Sequence, residues 1–176
     1  AYGAALYESY GLSETLLVAA LGPKTGAVEG TVGPPLAAVE LSVRDARGRP
    51  LPAGKEGEVF IKTPHLMAGY LDYEKGSVAP ADAEGWFPSG DLGRLAADGR
   101  LSVTGRKKDV IIHAGLNVSP RAIEEVLLQH EAVAQAAVVG VPSELAGEEI
   151  VAVVKARPGL DRGLAKAAIE SFCRAS

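Results

Sequence analysis

Phe87-Pro88-Ser89-Gly90-Asp91 and, further on, Gly105-Arg106-Lys107-Lys108-Asp109 decide how this chain is read. The stretch between them predicts a hairpin: Gly93-Arg94-Leu95, a turn at Ala97-Asp98-Gly99, then Leu101-Ser102-Val103. A short, rigid element therefore holds an acid and an arginine near each other. Asp91 stands behind a flexible turn, where a carboxylate can accept two hydrogen bonds from a diol. Arg106 stands at a glycine-led basic bend, where it can reach a ribose or phosphate oxygen. Taken singly, each cluster has a plainer reading. Ser-Gly-Asp is more often turn chemistry alone, and Arg106-Lys107-Lys108 more often a solvated face.

The pattern changes on either side of the second cluster. Before it, Val39, Leu41 and Val43 alternate with Glu40, Ser42 and Arg44, and Glu58 to Lys62 forms another strand. Glycines and prolines from Gly22 to Pro35 and from Pro50 to Gly57 mark loops, and Val78 to Glu84 is a polar, alanine-rich loop. After it, the order is β-α-β-β-α. Val110-Ile111-Ile112 is a short strand. Ser119 caps a helix, with Pro120 in its first turn and Ile123, Val126 and Leu127 at helical spacing. Val133 to Val141 is a strand ended by Pro142, and Ile150 to Lys155 is the next. Asp161 starts a helix with an apolar face of Leu164, Ala168, Ile169 and Phe172. The fold class expected is α+β: a β-rich part over 1–104, then a small α+β module over 105–176.

Composition bounds the function. With 47% hydrophobic and 23% charged residues the chain reads as soluble and globular, and 176 residues allow one domain or two small ones. A net charge of −4 without a dominant basic face argues against a nucleic-acid binder. The longest apolar run, Leu16 to Leu21, is too short to span a bilayer, and no secretory pattern opens the chain. The lone Cys173 rules out an internal disulfide, fits a reducing cytoplasm and reads as a helix packing residue.

Two more segments complete a four-part order: Tyr10-Gly11-Leu12-Ser13-Glu14, and Gly57-Glu58-Val59-Phe60-Ile61 with Met67-Ala68-Gly69-Tyr70. With Gly85 to Gly93, and with Gly105 to Pro120 followed by Ile123-Glu124, they resemble the adenylate-forming superfamily. That superfamily includes acyl- and aryl-CoA synthetases, peptide-synthetase adenylation domains and firefly-type luciferases. The resemblance runs from about residue 5 to the last residue. It implies that a carboxylate attacks the α-phosphate of ATP, giving an acyl-adenylate and pyrophosphate, after which a thiol displaces AMP.

The resemblance also implies roles. Tyr10 stacks on adenine beside Gly11, Ser13 contacts the α-phosphate, and Glu14 ligates Mg²⁺. Asp91 holds the ribose hydroxyls and Arg106 adds a ribose contact. Lys108 matches the hinge on which the C-terminal module rotates. Ala114, Gly115 and Leu116 match a loop bordering the thiol tunnel of coenzyme A. Plainer readings stand beside these: Tyr10 as a core aromatic, Glu14 as a surface carboxylate, Gly115 as an ordinary tight turn. His113, beside that turn, is more often structural than catalytic. Ser13 and Ser89 replace the family's threonine, keeping the hydroxyl, and Ala114 stands where many CoA ligases have glycine.

The family's phosphate loop and catalytic lysine segment are not found, so the chain is expected to be a C-terminal fragment, inactive alone and partnered by a missing N-terminal domain. The function expected is an AMP-forming acyl-CoA synthetase acting on a small-molecule carboxylate with ATP, Mg²⁺ and coenzyme A. Two alternatives stay open: an adenylation domain loading a carrier protein, and a noncatalytic nucleotide-binding or interaction fragment.

Overall fold

The computed structural model describes residues 4–74, 76–159 and 162–175, with backbone alone at 162–165 and 175. The chain divides into two compact units, one ending at Lys107 and the other beginning at Lys108. No helix among the described residues is long and apolar enough to cross a membrane.

The first unit is built from strands. In chain order they are β1 (Ser9–Leu12), β2 (Leu16–Ala20), β3 (Glu40–Arg44), β4 (Glu56–Lys62), β5 (Tyr70–Asp72), β6 (Gly76–Val78), β7 (Phe87–Leu95) and β8 (Leu101–Arg106). β3-β4-β7-β8 form an antiparallel four-stranded sheet, and β1-β2 and β5-β6 are separate hairpins. The alternation that predicts β4 sorts its faces. Val59 and Ile61 are fully buried, in one cluster with Val18, Val39, Phe87 and Leu101, and Tyr10 and Leu12 of β1 pack against that cluster. Phe60 alternates with them and meets the Arg44 guanidinium, 4.6 Å from its ring. The same guanidinium lies 4.7 Å from the Trp86 ring and is ion-paired with Asp82 at 3.7 Å. This sandwich fixes the loop before β7 and so fixes where β7 begins.

The unit ends at Lys107 for a physical reason. β8 continues to Arg106, and Lys107 Nζ donates to Glu58 Oε2 at 2.7 Å, tying it back to β4. The expected division after residue 104 falls inside β8.

The second unit holds β9 (Ile111–His113), β10 (Leu116–Val118), α1 (Pro120–Leu128), β11 (Val133–Ser143), β12 (Gly147–Ala156) and α2 (Arg162–Ala175). Its sheet has the order β10-β9-β12-β11, and Ile111, Leu127 and Val138 make its core with Ile123, Val154 and Ile169 against them. With two α-helices among the described residues and this strand content the chain is α+β.

Several local expectations need correction. Pro142 does not end its strand: β11 continues to Ser143, with Pro142 opposite Glu148. β11 lies at the sheet edge, where the N–H that proline lacks is not required by a neighbour. Leu116, expected in a loop with Ala114 and Gly115, instead begins a strand, since Leu116–Val118 pairs with β9 as a hairpin. Ser119 occupies the N-cap position in extended conformation but makes no side-chain cap hydrogen bond. Pro120, which has no N–H to satisfy, follows it directly. Ala168 and Cys173 are exposed, so neither packs; Ile169 and Phe172 alone carry the described apolar face, and the Phe172 ring meets His130 edge-on at 5.2 Å. The Asp161 helix start and the Leu164 side chain lie outside the described residues.

Candidate functional site

Asp91 is the centre of the first unit's polar chemistry. It lies within β7, so the flexible turn expected before it is instead a bulge in a strand. Glu58 to Phe60 of β4 lies opposite Leu92 to Pro88 of β7, which pushes Ser89-Gly90-Asp91 out of the ladder. Gly90 takes φ +74, a conformation glycine adopts at no Cβ cost. Ser89 then stiffens the bulge: its hydroxyl donates to the Val59 carbonyl at 2.7 Å and accepts from the Asp91 amide at 3.1 Å.

The bulge turns Asp91 into a buried position, 5% exposed, where a carboxylate needs partners. It has two. The Tyr10 hydroxyl donates to Oδ2 at 2.6 Å, and Arg106 Nε lies 3.3 Å from Oδ1, Arg106 being the residue directly opposite on β8. Burial, and then the bond to Asp91, push the Tyr10 phenol well above the usual tyrosine range, so it stays a neutral donor. Three residues from three separate motifs thus form one hydrogen-bonded and ion-paired cluster. The Tyr10 ring itself also packs on the core, as its plainer reading expects.

Glu14 lies on the loop joining β1 to β2, and its shape depends on two unusual backbone positions. Leu16 closes the loop at φ +56, and Gly11 lies so close beneath that a Cβ there would come within 2.4 Å of the Leu16 carbonyl. Any larger residue at 11 would displace the loop. The Met67 amide donates to the Glu14 carbonyl at 2.8 Å, and the Tyr70 hydroxyl donates to Glu14 Oε1 at 3.0 Å. Ser13 is exposed beside it, its hydroxyl unbonded among the described residues, whereas Thr15 is fully buried. The Tyr10–Asp91, Tyr70–Glu14 and Lys107–Glu58 contacts lie far apart in sequence, and no short-range pattern carries them. Tyr70, to which no role was assigned, had one signal, its place in the Gly69-Tyr70 segment.

In the second unit, Lys108 is exposed within a single 3₁₀ turn, Lys107–Asp109. Ala114 and Gly115 are the two central residues of the β9–β10 hairpin, with φ +50 and +81, and Leu116 follows, well exposed. Two positive φ values are what a tight two-residue hairpin requires. His113 Nδ1 lies 2.7 Å from the Glu148 carbonyl and the Ala114 amide donates to the Ala146 carbonyl, contacts that hold the turn to β12. They give His113 a structural use.

Two family models match the chain, one on residues of each unit. Residues 1–71 match the model of the AMP-binding enzyme family, and residues 122–176 match the model of the AMP-binding enzyme C-terminal domain. The chain belongs to the adenylate-forming superfamily. It is 41% identical over 151 residues to a salicyl-AMP ligase / salicyl-S-ArCP synthetase of Mycobacterium tuberculosis, covering 85% of this chain and 27% of that one. It is 37% identical over 174 residues to 2-succinylbenzoate–CoA ligase of Geobacillus kaustophilus, covering 98% and 35%. The crystal structure of ATP-bound MatB from Rhodopseudomonas palustris superposes with a TM-score of 0.86 at 32% identity, over 96% of this chain and 34% of that one. The chain thus spans about a quarter to a third of the length of the relatives it matches.

Proposed function

We propose that this chain forms the nucleotide-holding C-terminal portion of an ATP-dependent acid–thiol ligase. That enzyme joins a carboxylic acid to AMP and then passes the acyl group to a thiol, coenzyme A being the preferred acceptor. The observation that carries the reading is the Tyr10–Asp91–Arg106 cluster, in which residues from three motifs converge on one buried carboxylate.

The cluster suits a ribose. A carboxylate has about four lone-pair directions, and Tyr10 and Arg106 take two, so acceptor capacity remains for a diol. In this reading Asp91 accepts the ribose hydroxyls and Arg106 adds a second ribose contact. Tyr10, anchored at its hydroxyl, offers its ring face to adenine beside Gly11. Ser13, exposed and unbonded among the described residues, donates to the α-phosphate.

Glu14 suits Mg²⁺ of the kind that arrives on a nucleotide. Such an ion keeps several waters and takes one or two carboxylates besides phosphate oxygens. One Glu14 oxygen is bonded to Tyr70 and the other is unbonded among the described residues. Bound there, Mg²⁺ would supply charge stabilisation for the phosphate oxygens. Lys108 is assigned the hinge between adenylation and thiol transfer. Ala114, Gly115 and Leu116 are assigned the border of the thiol's path, where small residues let an extended pantetheine pass close to backbone.

A carrier-protein thiol is the second reading, favoured by the M. tuberculosis relative whose name includes salicyl-S-ArCP synthetase. One experiment separates the readings: carboxylate-dependent pyrophosphate exchange by an enzyme carrying this chain, followed by transfer to coenzyme A or to a phosphopantetheinylated carrier. Exchange with transfer to coenzyme A is the expected result. No exchange with any carboxylate would leave a noncatalytic fragment and overturn the proposal.

A further inference from the structure

Glu14 is gripped at two points by one short segment: the Met67 amide at its carbonyl and the Tyr70 hydroxyl at Oε1, 2.8 and 3.0 Å away. The segment is itself fixed. Tyr70 begins the β5–β6 hairpin opposite Val78, and Gly69 lies where a Cβ would be 2.6 Å from Ser77 Oγ and 2.8 Å from the Val78 carbonyl. Only glycine lets the two strands close directly before Tyr70. The Tyr70 side chain is 48% exposed and belongs to neither core cluster, so packing does not account for the aim of its hydroxyl. Among the described residues Glu14 has no other side-chain partner.

We infer that Tyr70 is a positioning residue for Glu14, fixing the carboxylate through Oε1 so that Oε2 is presented to a divalent cation carried on nucleotide phosphates. The inference rests on the reading of Glu14 as the metal ligand. It assigns Tyr70 the outer-partner role that tightly bound metal ligands generally require, since a free carboxylate samples rotamers that point the wrong oxygen at the ion.

Mn²⁺ is the probe. Free Mn²⁺ is counted by electron paramagnetic resonance in an enzyme carrying this chain, with a non-cleavable ATP analogue bound, for Tyr70→Phe, Glu14→Gln and the double variant. Outer partners of metal ligands are generally worth about 10–100-fold in affinity, and the half-exposed Tyr70 is expected near the lower end, about tenfold. Glu14→Gln should lose more, and the double variant should match Glu14→Gln alone, because Tyr70 acts only through Glu14. The maximal exchange rate at saturating Mg²⁺ should stay near wild type in Tyr70→Phe while the Mg²⁺ requirement rises. A Tyr70→Phe affinity equal to wild type beside a weakened Glu14→Gln overturns the role of Tyr70 and leaves Glu14 as ligand. Losses that add in the double variant do the same. An unchanged Glu14→Gln overturns the metal reading and this inference with it.

Discussion

The Asp91 cluster and the Ala114-Gly115 hairpin are built by opposite means. Asp91 is buried and set by side chains: Ser89, Tyr10 and Arg106 each make a specific contact to it or to its backbone. The hairpin is set by backbone conformation, two positive φ values in succession, and is anchored through main-chain groups and His113. A polar site of the first kind is rigid before any ligand arrives, at the cost of desolvating a charge. A turn of the second kind keeps its shape through backbone conformation, with few side-chain contacts to lose. The first should therefore respond to chemical substitution and the second to conformational substitution.

The largest expected effect breaks the first kind of construction. Asp91→Ala removes the acceptor proposed for the ribose and strands the Tyr10 hydroxyl, which is half-buried with Asp91 as its partner. Charge-assisted bonds are worth about 1.5–3 kcal/mol each, so kcat/KM for ATP should fall about a hundredfold in an enzyme carrying this chain. The stopped or coupled assay should show unaltered dependence on the thiol. An ATP profile matching wild type would reduce Asp91 to a structural acid.

Next is the link between the two units. Lys108→Pro fixes φ near −65° and restricts Lys107 before it, while the Lys107–Glu58 pair already holds the neighbouring residue. Adenylation should stay within about tenfold while thioester formation falls about tenfold further. Equal losses in exchange and in thiol transfer would remove Lys108 from the hinge role.

How much of this was legible in sequence follows from range. β3, β4 and the β7–β8 hairpin are readable because period-two alternation and the Asp98-Gly99 turn are local signals. The helix at Pro120 is readable from its proline and its apolar spacing. β10 and the extension of β11 through Pro142 are not, because whether a proline is tolerated depends on an edge position that only the assembled sheet defines. The candidate site divides in the same way. Tyr10, Glu14, Asp91 and Arg106 stand out through motif order, but that Tyr10 and Arg106 share Asp91 depends on a bulge two residues deep in the β4–β7 pairing. Tyr70 carried no local mark of its bond to Glu14 because its partner is 56 positions away.

A smaller effect tests burial within the first region. The folded Tyr10 phenol titrates above its unfolded value of about 10, so the group's contribution to stability is complete below pH 10. It is lost as the pH rises from there towards the folded value, since the unfolded chain releases its proton first. Urea melts at pH 8 to 11 should show the wild type losing stability more steeply than Tyr10→Phe above pH 10. Parallel curves would mean the phenol is solvated and the Asp91 bond loose.

The smallest effect probes the second region, and two neighbouring substitutions should move in opposite directions. Ala114 holds φ +50, a left-handed conformation that costs a residue with a Cβ about 1–2 kcal/mol. Ala114→Gly removes that strain but adds the entropy of a freer unfolded chain, about 0.5–1 kcal/mol, leaving a net gain near 0.5 kcal/mol. Gly115→Ala is the mirror case: φ is +81 and a Cβ would meet nothing within 4 Å, so conformational strain is the whole of its cost. It should destabilise by about 1 kcal/mol. Gly11→Ala supplies the contrast, because there φ is ordinary and the obstacle is the Leu16 carbonyl 2.4 Å away. Denaturant midpoints for the three variants distinguish strain from collision. If Ala114→Gly lowers the midpoint instead of raising it, the β9–β10 turn is held by a contact of the Ala114 methyl and not by backbone shape, and the proposed contrast between the two regions fails.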